Sequence, residues 1–574
     1  MSYLSQCMIF LTYTKFGTML KFPLLVKILK IRLILLTKNK MPVGYWMLML
    51  HGHLPFVRHP EYGDPFEERW LFEAIIECYL PLLSMLDNLE QDNILCRFTM
   101  SLTPPLISML KDPFLQNRFL NHLDKLIELA EKEVHRTRNI PQLNDTACIY
   151  LKLFQKHKNA FEERYKKDIT KGFLEHQEKG HVEITTCCAT HGFLPLLGFQ
   201  RQSVFTQITE AVKHHEYYLG CKPRGIWLAE CGYNPQDESI LKAEGLKYFF
   251  VETHGLSKAA PVPKYKTYGP VLTPSQLFAF ARDRESAEEV WSSQIGYPGD
   301  ENYREYYRDI GYELDMDYIS PYIHESGTRI NTGIKYYRVT GRVDAADKKP
   351  YSFEKAYART KVHAEDFLRK RIRQILAVSH ILGIKPLVVS PYDMELYGHW
   401  WYEGPKFLEN IFRMFARQSV IKPVTAAEYL ESQPVIEMCR PHPSSWGMNG
   451  YNEYWLNEKN HWIWKHLHVA AMRMKEVAVR YKHCPANSAV ERILNQALRE
   501  LLLAQSSDWP FIMSSQTTTV YATNRIVEHI SWFHKLCDQL EEQKVNKRLL
   551  KHLENKDNIF PLIDFRDFAV PDSI

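Results

Sequence analysis

The chain has 574 residues, 45% hydrophobic and 24% charged, which excludes a disordered or fibrous polymer and leaves room for two or three globular domains. Eleven cysteines without a Cys-x-x-Cys pair argue against a zinc finger or a disulfide scaffold, and a reduced, cytoplasmic setting fits best. The formal charge of +5 belongs to residues 1–40, where seven Lys/Arg occur with no Asp or Glu; without them it falls to −2, so no nucleic-acid partner is implied.

That tail differs from the rest of the chain. Its apolar run, Phe22 to Leu36, is too short for a membrane span and is broken by Lys27, Lys30 and Arg32. It also lacks the ordered parts of a signal peptide. No integral membrane span is expected. A basic helix lying on a membrane surface is one reading; the plainer one is an extension, 1–40, outside a fold that begins near Met41.

The wholly apolar run 45–50 predicts a buried strand that ends in His51-Gly52-His53-Leu54-Pro55. Alternation along an extended chain turns His51 and His53 to the same side. Metal ligands, substrate contacts and structural histidines all remain open for this pair. A helix follows from about 66 to 86, then a strand at 97–102 stopped by Pro104-Pro105, then a charged helical stretch over 112–178. Strands are predicted at 181–186, 225–229, 248–252, 277–281 and 386–390, separated by helices near 201–218, 236–245 and 361–381. The segments 255–270 and 284–360 read as a loop and a long excursion, and Lys422-Pro423-Val424-Thr425 leads into a last helix. Seven strands spaced by helices give the rhythm of a parallel β/α barrel. From about 435 strands disappear, and helical stretches near 450–481, 486–505 and 519–545 predict an all-helical C-terminal domain.

Two strand ends carry carboxylates. Glu230 follows Trp227-Leu228-Ala229, and Asp393 follows Val388-Val389-Ser390-Pro391-Tyr392. Strand ends of a barrel converge on one face, and two carboxylates brought together there are the minimum needed to break a glycosidic bond. A lone acid at such a place is more often a helix cap or ion-pair partner, but two of them with His, Trp and Tyr nearby favour chemistry. The aromatic share, 13%, suits sugar faces as well as a large core. Two readings of a different class stay open: a metal-dependent barrel hydrolase built on His51, His53 and Asp393 and completed by His191 and His254, and a noncatalytic glucan-binding protein.

With these residues laid out, the chain resembles glycoside hydrolase family 57, most closely its 1,4-α-glucan branching enzymes. The likeness spans about 41–565. It is carried by His51-Gly52-His53-Leu54-Pro55, Ala189-Thr190-His191-Gly192, Trp227-Leu228-Ala229-Glu230-Cys231-Gly232-Tyr233 and Ser390-Pro391-Tyr392-Asp393-Met394-Glu395. The C-terminal Ser445-Trp446-Gly447, Trp455-Leu456-Asn457 and Ser507-Asp508-Trp509-Pro510-Phe511 add to it.

The resemblance implies a (β/α)7 barrel, a retaining mechanism with Glu230 as nucleophile and Asp393 as general acid/base, and an α-1,4-glucan substrate. It implies no catalytic metal and no cofactor, which makes His51 and His53 substrate contacts. Arg282, Gly299, Trp446 and Asp508 match substrate-binding positions, and Trp70, Trp291 and Trp455 match groove-lining aromatics. The loop 255–270 stands as the counterpart of a lid that shields the intermediate, with Tyr265 at its tip. Within the family, an α-amylase or a 4-α-glucanotransferase is the alternative. The expected division is 1–40 extension, 41–434 catalytic barrel with its excursions, and 435–574 helical domain reaching into the groove.

Overall fold

The computed structural model describes residues 41–292, 295–432 and 434–571; the expectations for 1–40 lie outside them. Ten strands occur among these residues: β1 (Gly44–Gly52), β2 (Phe98–Leu102), β3 (Val182–Cys187), β4 (Gly225–Trp227), β5 (Tyr248–Val251), β6 (Val271–Leu272), β7 (Phe278–Ala281), β8 (Leu387–Asp393), β9 (Ile421–Pro423) and β10 (Glu437–Met438). Seven run parallel in the order β7-β5-β4-β3-β2-β1-β8, and β9 adds a short parallel pairing to the start of β1.

The ring is incomplete between β7 and β8. One backbone bond crosses that seam, from Asp283 N–H to Val389 O at 2.8 Å. The rest is filled by the segment after Tyr268, whose carbonyl accepts Leu387 N–H at 2.9 Å and whose β6 pairs antiparallel with β7. The result is the expected seven-stranded β/α barrel with a patched seam.

Strand β1 explains why a continuous apolar run is needed. Trp46, Leu48 and Leu50 pack outward against helices, while Met47 and Met49 pack into a second core inside the sheet; all five are at most 1% exposed. Both faces of a parallel strand are covered, so alternation with polar residues is lost. The helix Phe353–Leu382 returns the chain to β8; Ser352 caps its start by accepting Lys355 N–H, and Gly383, at φ +69°, ends it.

Three details differ from the sequence expectation. Asp393 is the last residue of β8 rather than the residue after it, because β8 continues its pairing with β1 as far as His51. The long C-terminal helix starts at His461, not near 450; turns occupy 450–460, with the Asn460 amide donating to Tyr454 O and Pro510 O. Two further helices, Asp508–Ser515 and Lys547–Lys556, lie in stretches read as loop or left unassigned.

The C-terminal region beyond the barrel strands is helical, and its centre is apolar. Leu494, Leu498, Leu501 and Leu502 of the helix Ala489–Ala504 are fully buried, as are Phe533 and Leu536 of Thr519–Glu541. Each such side chain contributes about 1.5–3 kcal/mol.

Candidate active site

The register of β1 against β8 sets the site. His51 and Asp393 are direct neighbours across that parallel pair, and Ser101 of β2 is level with His51 on its other side. The His51 ring hydrogen-bonds Ser101 Oγ through Nδ1 at 2.7 Å and His191 Nε2 through Nε2 at 2.9 Å. It stacks on Trp227 with centroids 5.1 Å apart. His53, two residues on, sits against His191 with centroids at 3.8 Å, meets Thr103 Oγ1 at 3.0 Å, and reaches both Asp508 oxygens at 3.0 Å.

Glu230 arrives from β4 through a strained turn. Its φ is +60°, Cys231 follows at +51°, and His191 opposite holds +58°. Left-handed backbone costs a non-glycine residue about 1–3 kcal/mol and persists where the surroundings enforce it, commonly at functional sites. The enforcement is visible here. Tyr233 and Ser444 exchange backbone bonds at 2.9 and 3.3 Å, and Trp446 N–H donates to Glu230 O at 2.9 Å. A second bridge pairs Gly192 with Ser506, and Ser507 N–H reaches His191 O at 3.0 Å. Two isolated backbone bridges therefore bring Trp446, Ser507 and Asp508, all beyond the last strand, to the strand ends of the barrel.

Two side-chain donors point at Glu230. Trp446 Nε1–H reaches Oε2 at 2.5 Å, and Ser507 Oγ lies 3.3 Å from Oε1 and 2.7 Å from His191 Nδ1. Among the described residues no side chain hydrogen-bonds the Asp393 carboxyl; the charges of Arg282 and His53 act on it. Arg282 donates to Glu252 Oε2 at 3.3 Å and lies 5.5 Å over the Trp446 ring.

Burial raises both acids. It pushes Glu230 up to about 8, with the charges of Asp393 and Asp508 adding to the rise and the Trp446 and Ser507 donors opposing it. Burial pushes Asp393 up to about 6, against Arg282 and His53. The two carboxyls sense each other, so the pair holds about one proton near neutral pH. Asp508 behaves oppositely: burial pushes it up, but His53, aided by His191, outweighs that and holds it at about 2. Burial, reinforced by neighbouring histidine charge, keeps His51 and His191 neutral.

The metal reading of the histidines meets a geometric difficulty. Atoms of His53, His191 and Asp508 do lie within 4.8 Å of one another, as do those of His51, Cys187 and His191. Yet each ring nitrogen of His51, His53 and His191 already has a protein partner, so an ion would have to break this chain of bonds.

Seven of the residues singled out in the sequence thus meet: His51, His53, Glu230, Arg282, Asp393, Trp446 and Asp508. Others do not. Trp455 is 1% exposed, stacked on Phe193 at 4.6 Å, so it props the Trp446 turn from behind and presents no face to a groove. Gly299 lies in a separate hollow with Asp300, Arg359 and His363. Trp70 packs edge-on against Tyr521 at 5.7 Å, and Trp291 ends a helix with 56% of its surface open.

Tyr265 is a clear correction. Tyr268 N–H bonds Tyr265 O at 3.0 Å, and Tyr268 O is tied to Leu387 at the start of β8. Asp393 is six residues further along that strand, about 20 Å away at 3.3 Å per residue. A tyrosine side chain cannot bridge that gap, so this turn fills the seam and Tyr265 is no lid. Glu437 holds the turn by accepting Lys264 and Tyr265 N–H. Conversely, the sequence did not reveal the linking roles of Ser507 and His191. The Ser506-Ser507-Asp508 run is a faint signal, since its contacts are made across more than 270 residues.

A seven-stranded β/α barrel with two buried acids at its strand ends, one gripped and one free, is a glycoside hydrolase architecture. The chain belongs to glycosyl hydrolase family 57, whose profile matches residues 47–385. Residues 466–568 match a second profile, the C-terminal region of 1,4-alpha-glucan branching enzymes. The chain is 31% identical to a 1,4-alpha-glucan branching enzyme of Thermococcus kodakarensis, covering 90% of this chain and 77% of that one. Among solved structures it resembles the GH57-type branching enzyme of Pyrococcus horikoshii (TM-score 0.82, 32% identity, 92% of this chain and 97% of that). It also resembles the alpha-amylase AmyC of Thermotoga maritima (TM-score 0.87, 45% identity, 92% and 99%).

Proposed function

We propose that this chain is a 1,4-α-glucan branching enzyme: it cleaves an α-1,4 bond in a linear glucan and transfers the fragment to a glucan 6-hydroxyl. The observation that carries this reading is the C-terminal region. It matches branching enzymes as a profile over residues 466–568, and that stretch supplies Ser507, 3.3 Å from Glu230, and Asp508, 3.0 Å from His53.

In this mechanism the ionised Glu230 oxygen attacks the anomeric carbon as the bond to the departing 4-oxygen breaks, and Asp393 gives that oxygen its proton. The covalent glycosyl-enzyme then meets an acceptor 6-hydroxyl. Asp393 takes the acceptor's proton, the new α-1,6 bond forms, and Glu230 leaves as a carboxylate. The asymmetry of hydrogen bonding supports these roles. Trp446 and Ser507 stabilise charge on Glu230, the group that must be anionic before attack and again after release. Asp393, without a side-chain partner among the described residues, can both give and accept a proton. Glu230 has the higher value of the two, so the proton that the pair shares must sit on Asp393 before attack. Arg282 and Asp508 are assigned to the sugar hydroxyls; His51 and His53, expected as substrate contacts, have both ring nitrogens bonded within the protein and are assigned instead to holding Asp508 and His191 in place.

A second reading, hydrolysis, is favoured by the 45% identity to an alpha-amylase structure. Proton NMR of amylose after incubation separates the two. Branching creates α-1,6 linkages with few new reducing ends, and hydrolysis creates reducing ends alone. A product with no α-1,6 signal would overturn the branching assignment.

We take the chain as divided near 434/435 into barrel and helical domain. We also place it in the cytoplasm: the ten described cysteines are all unpaired, as a reducing compartment requires. No helix among the described residues is long and apolar enough to cross a membrane.

A further inference from the structure

At the opposite end of the barrel from the carboxyl pair, where β2 and β3 begin, a second cluster of ligating groups has no role in the chemistry above. Glu90 sits at the end of the helix Leu80–Gln91, His176 in the last turn of Thr170–Glu178, and His181 one residue before β3. One ligand atom from each lies within 4.8 Å of the other two. Cys96, two residues before β2, brings its Sγ to 3.4 Å from His181 Nδ1.

The detail that asks for an explanation is His176. Its ring is fully buried, Nε2 is held by Asp87 Oδ1 at 3.1 Å, and Nδ1 has no hydrogen-bond partner among the described residues. That bare nitrogen stands 3.8 Å from Glu90 Oε2. A buried polar atom left unpaired forfeits its hydration with nothing in return, so such atoms are rare in folded proteins. An imidazole oriented by a carboxylate through one nitrogen, with the other presented bare, is the usual preparation of a metal ligand.

We propose that Glu90, His176 and His181 bind one late first-row divalent ion such as zinc, with Cys96 as fourth donor. Zinc holds nitrogen and oxygen at about 2.0–2.2 Å and sulfur at about 2.3 Å, which sets neighbouring ligand atoms of a tetrahedron about 3.3–3.6 Å apart. The 3.8 Å between His176 and Glu90 and the 3.4 Å between Cys96 and His181 are within a few tenths of an ångström of this, and the Cys96 sulfur, which lies outside the cluster of the other three, swings in to complete the set. Lys179 now neutralises Glu90 at 2.8 Å; its side chain is 44% exposed and can swing into solvent as the ion takes the carboxylate. Coordination by Cys96 releases the thiol proton to solvent. The ion would tie two helix ends to the starts of two barrel strands, on the face that carries stability rather than catalysis in such barrels.

The test uses full-length protein stripped with a chelator and dialysed, then titrated with Zn²⁺ by calorimetry and with Co²⁺ by absorption. One ion per chain should bind, and the thermal midpoint should rise with free ion. A near-ultraviolet sulfur-to-cobalt band should appear and vanish in Cys96→Ser. His176→Ala and His181→Gln should abolish binding while keeping turnover at moderate temperature, and Asp87→Asn should weaken it about 10–100-fold. Circular dichroism of each variant separates lost ligation from lost folding, and His181→Gln, at the cluster's edge, serves if His176→Ala does not fold. The His53→Ala variant should bind the ion as wild type does. The proposal is overturned by no saturable uptake, by uptake unchanged in the His176 and His181 variants, or by uptake lost in His53→Ala, which would move the ion to the catalytic histidines.

Discussion

Trp446→Phe isolates one hydrogen bond at the nucleophile. Phenylalanine keeps an aromatic ring beneath Arg282 and beside Trp227, whose centroid lies 5.2 Å from that of Trp446, but it removes the Nε1–H that reaches Glu230 Oε2 at 2.5 Å. A hydrogen bond to a charged group is worth about 1.5–3 kcal/mol, and one pKa unit corresponds to about 1.4 kcal/mol. The donor favours the carboxylate, so its loss raises the Glu230 pKa, by about one to two units. Ionised Glu230 then exists only at higher pH. The acid limb of kcat/KM should move upward by that amount, and activity at pH 7 should fall about 10–100-fold, recovering as pH rises. The assay is a pH series of initial transfer rates on amylose, with the thermal midpoint as a check on folding. A variant whose rate falls by one factor at every pH, with its limb unmoved, would refute the reasoning and reduce Trp446 to packing.

Asp393→Asn should lower transfer about 10²–10⁴-fold, the contribution of a general acid/base, and Glu230→Gln should abolish it; both should keep the wild-type circular dichroism spectrum, and normal turnover by either would remove the assigned roles. Asp508, held at about 2 in the fold against about 3.9 unfolded, contributes stability that is complete above pH 4 and is lost as pH falls through about 2. Acid denaturation of Asp508→Asn should therefore show a shallower loss between pH 4 and 2 than wild type, and equal slopes would show that the His53 pairing does not stabilise the fold. Tyr265→Phe should leave the ratio of α-1,6 linkages to new reducing ends unchanged, because that turn is anchored at the start of β8; a shift toward hydrolysis would restore it as a lid.

What the sequence by itself determined is local in origin. Apolar runs such as 45–50 declare themselves as strands because a parallel strand is buried on both faces, and the repeat of strand and helix carries the barrel. Glu230 and Asp393 were legible because strand ends in a barrel share one face. The tertiary structure decided everything that depends on long-range register. It made Asp393 the neighbour of His51, joined residues 444–446 to 230–233, and brought Ser507 from 277 positions away to Glu230. It also withdrew Tyr265 and Trp455, since a loop's composition says nothing about which end of a strand it will be tied to, and a tryptophan's type does not say which of its faces is already covered. These are pairings between segments whose contact energy exists only once the chain has closed, so no window of neighbouring residues records them.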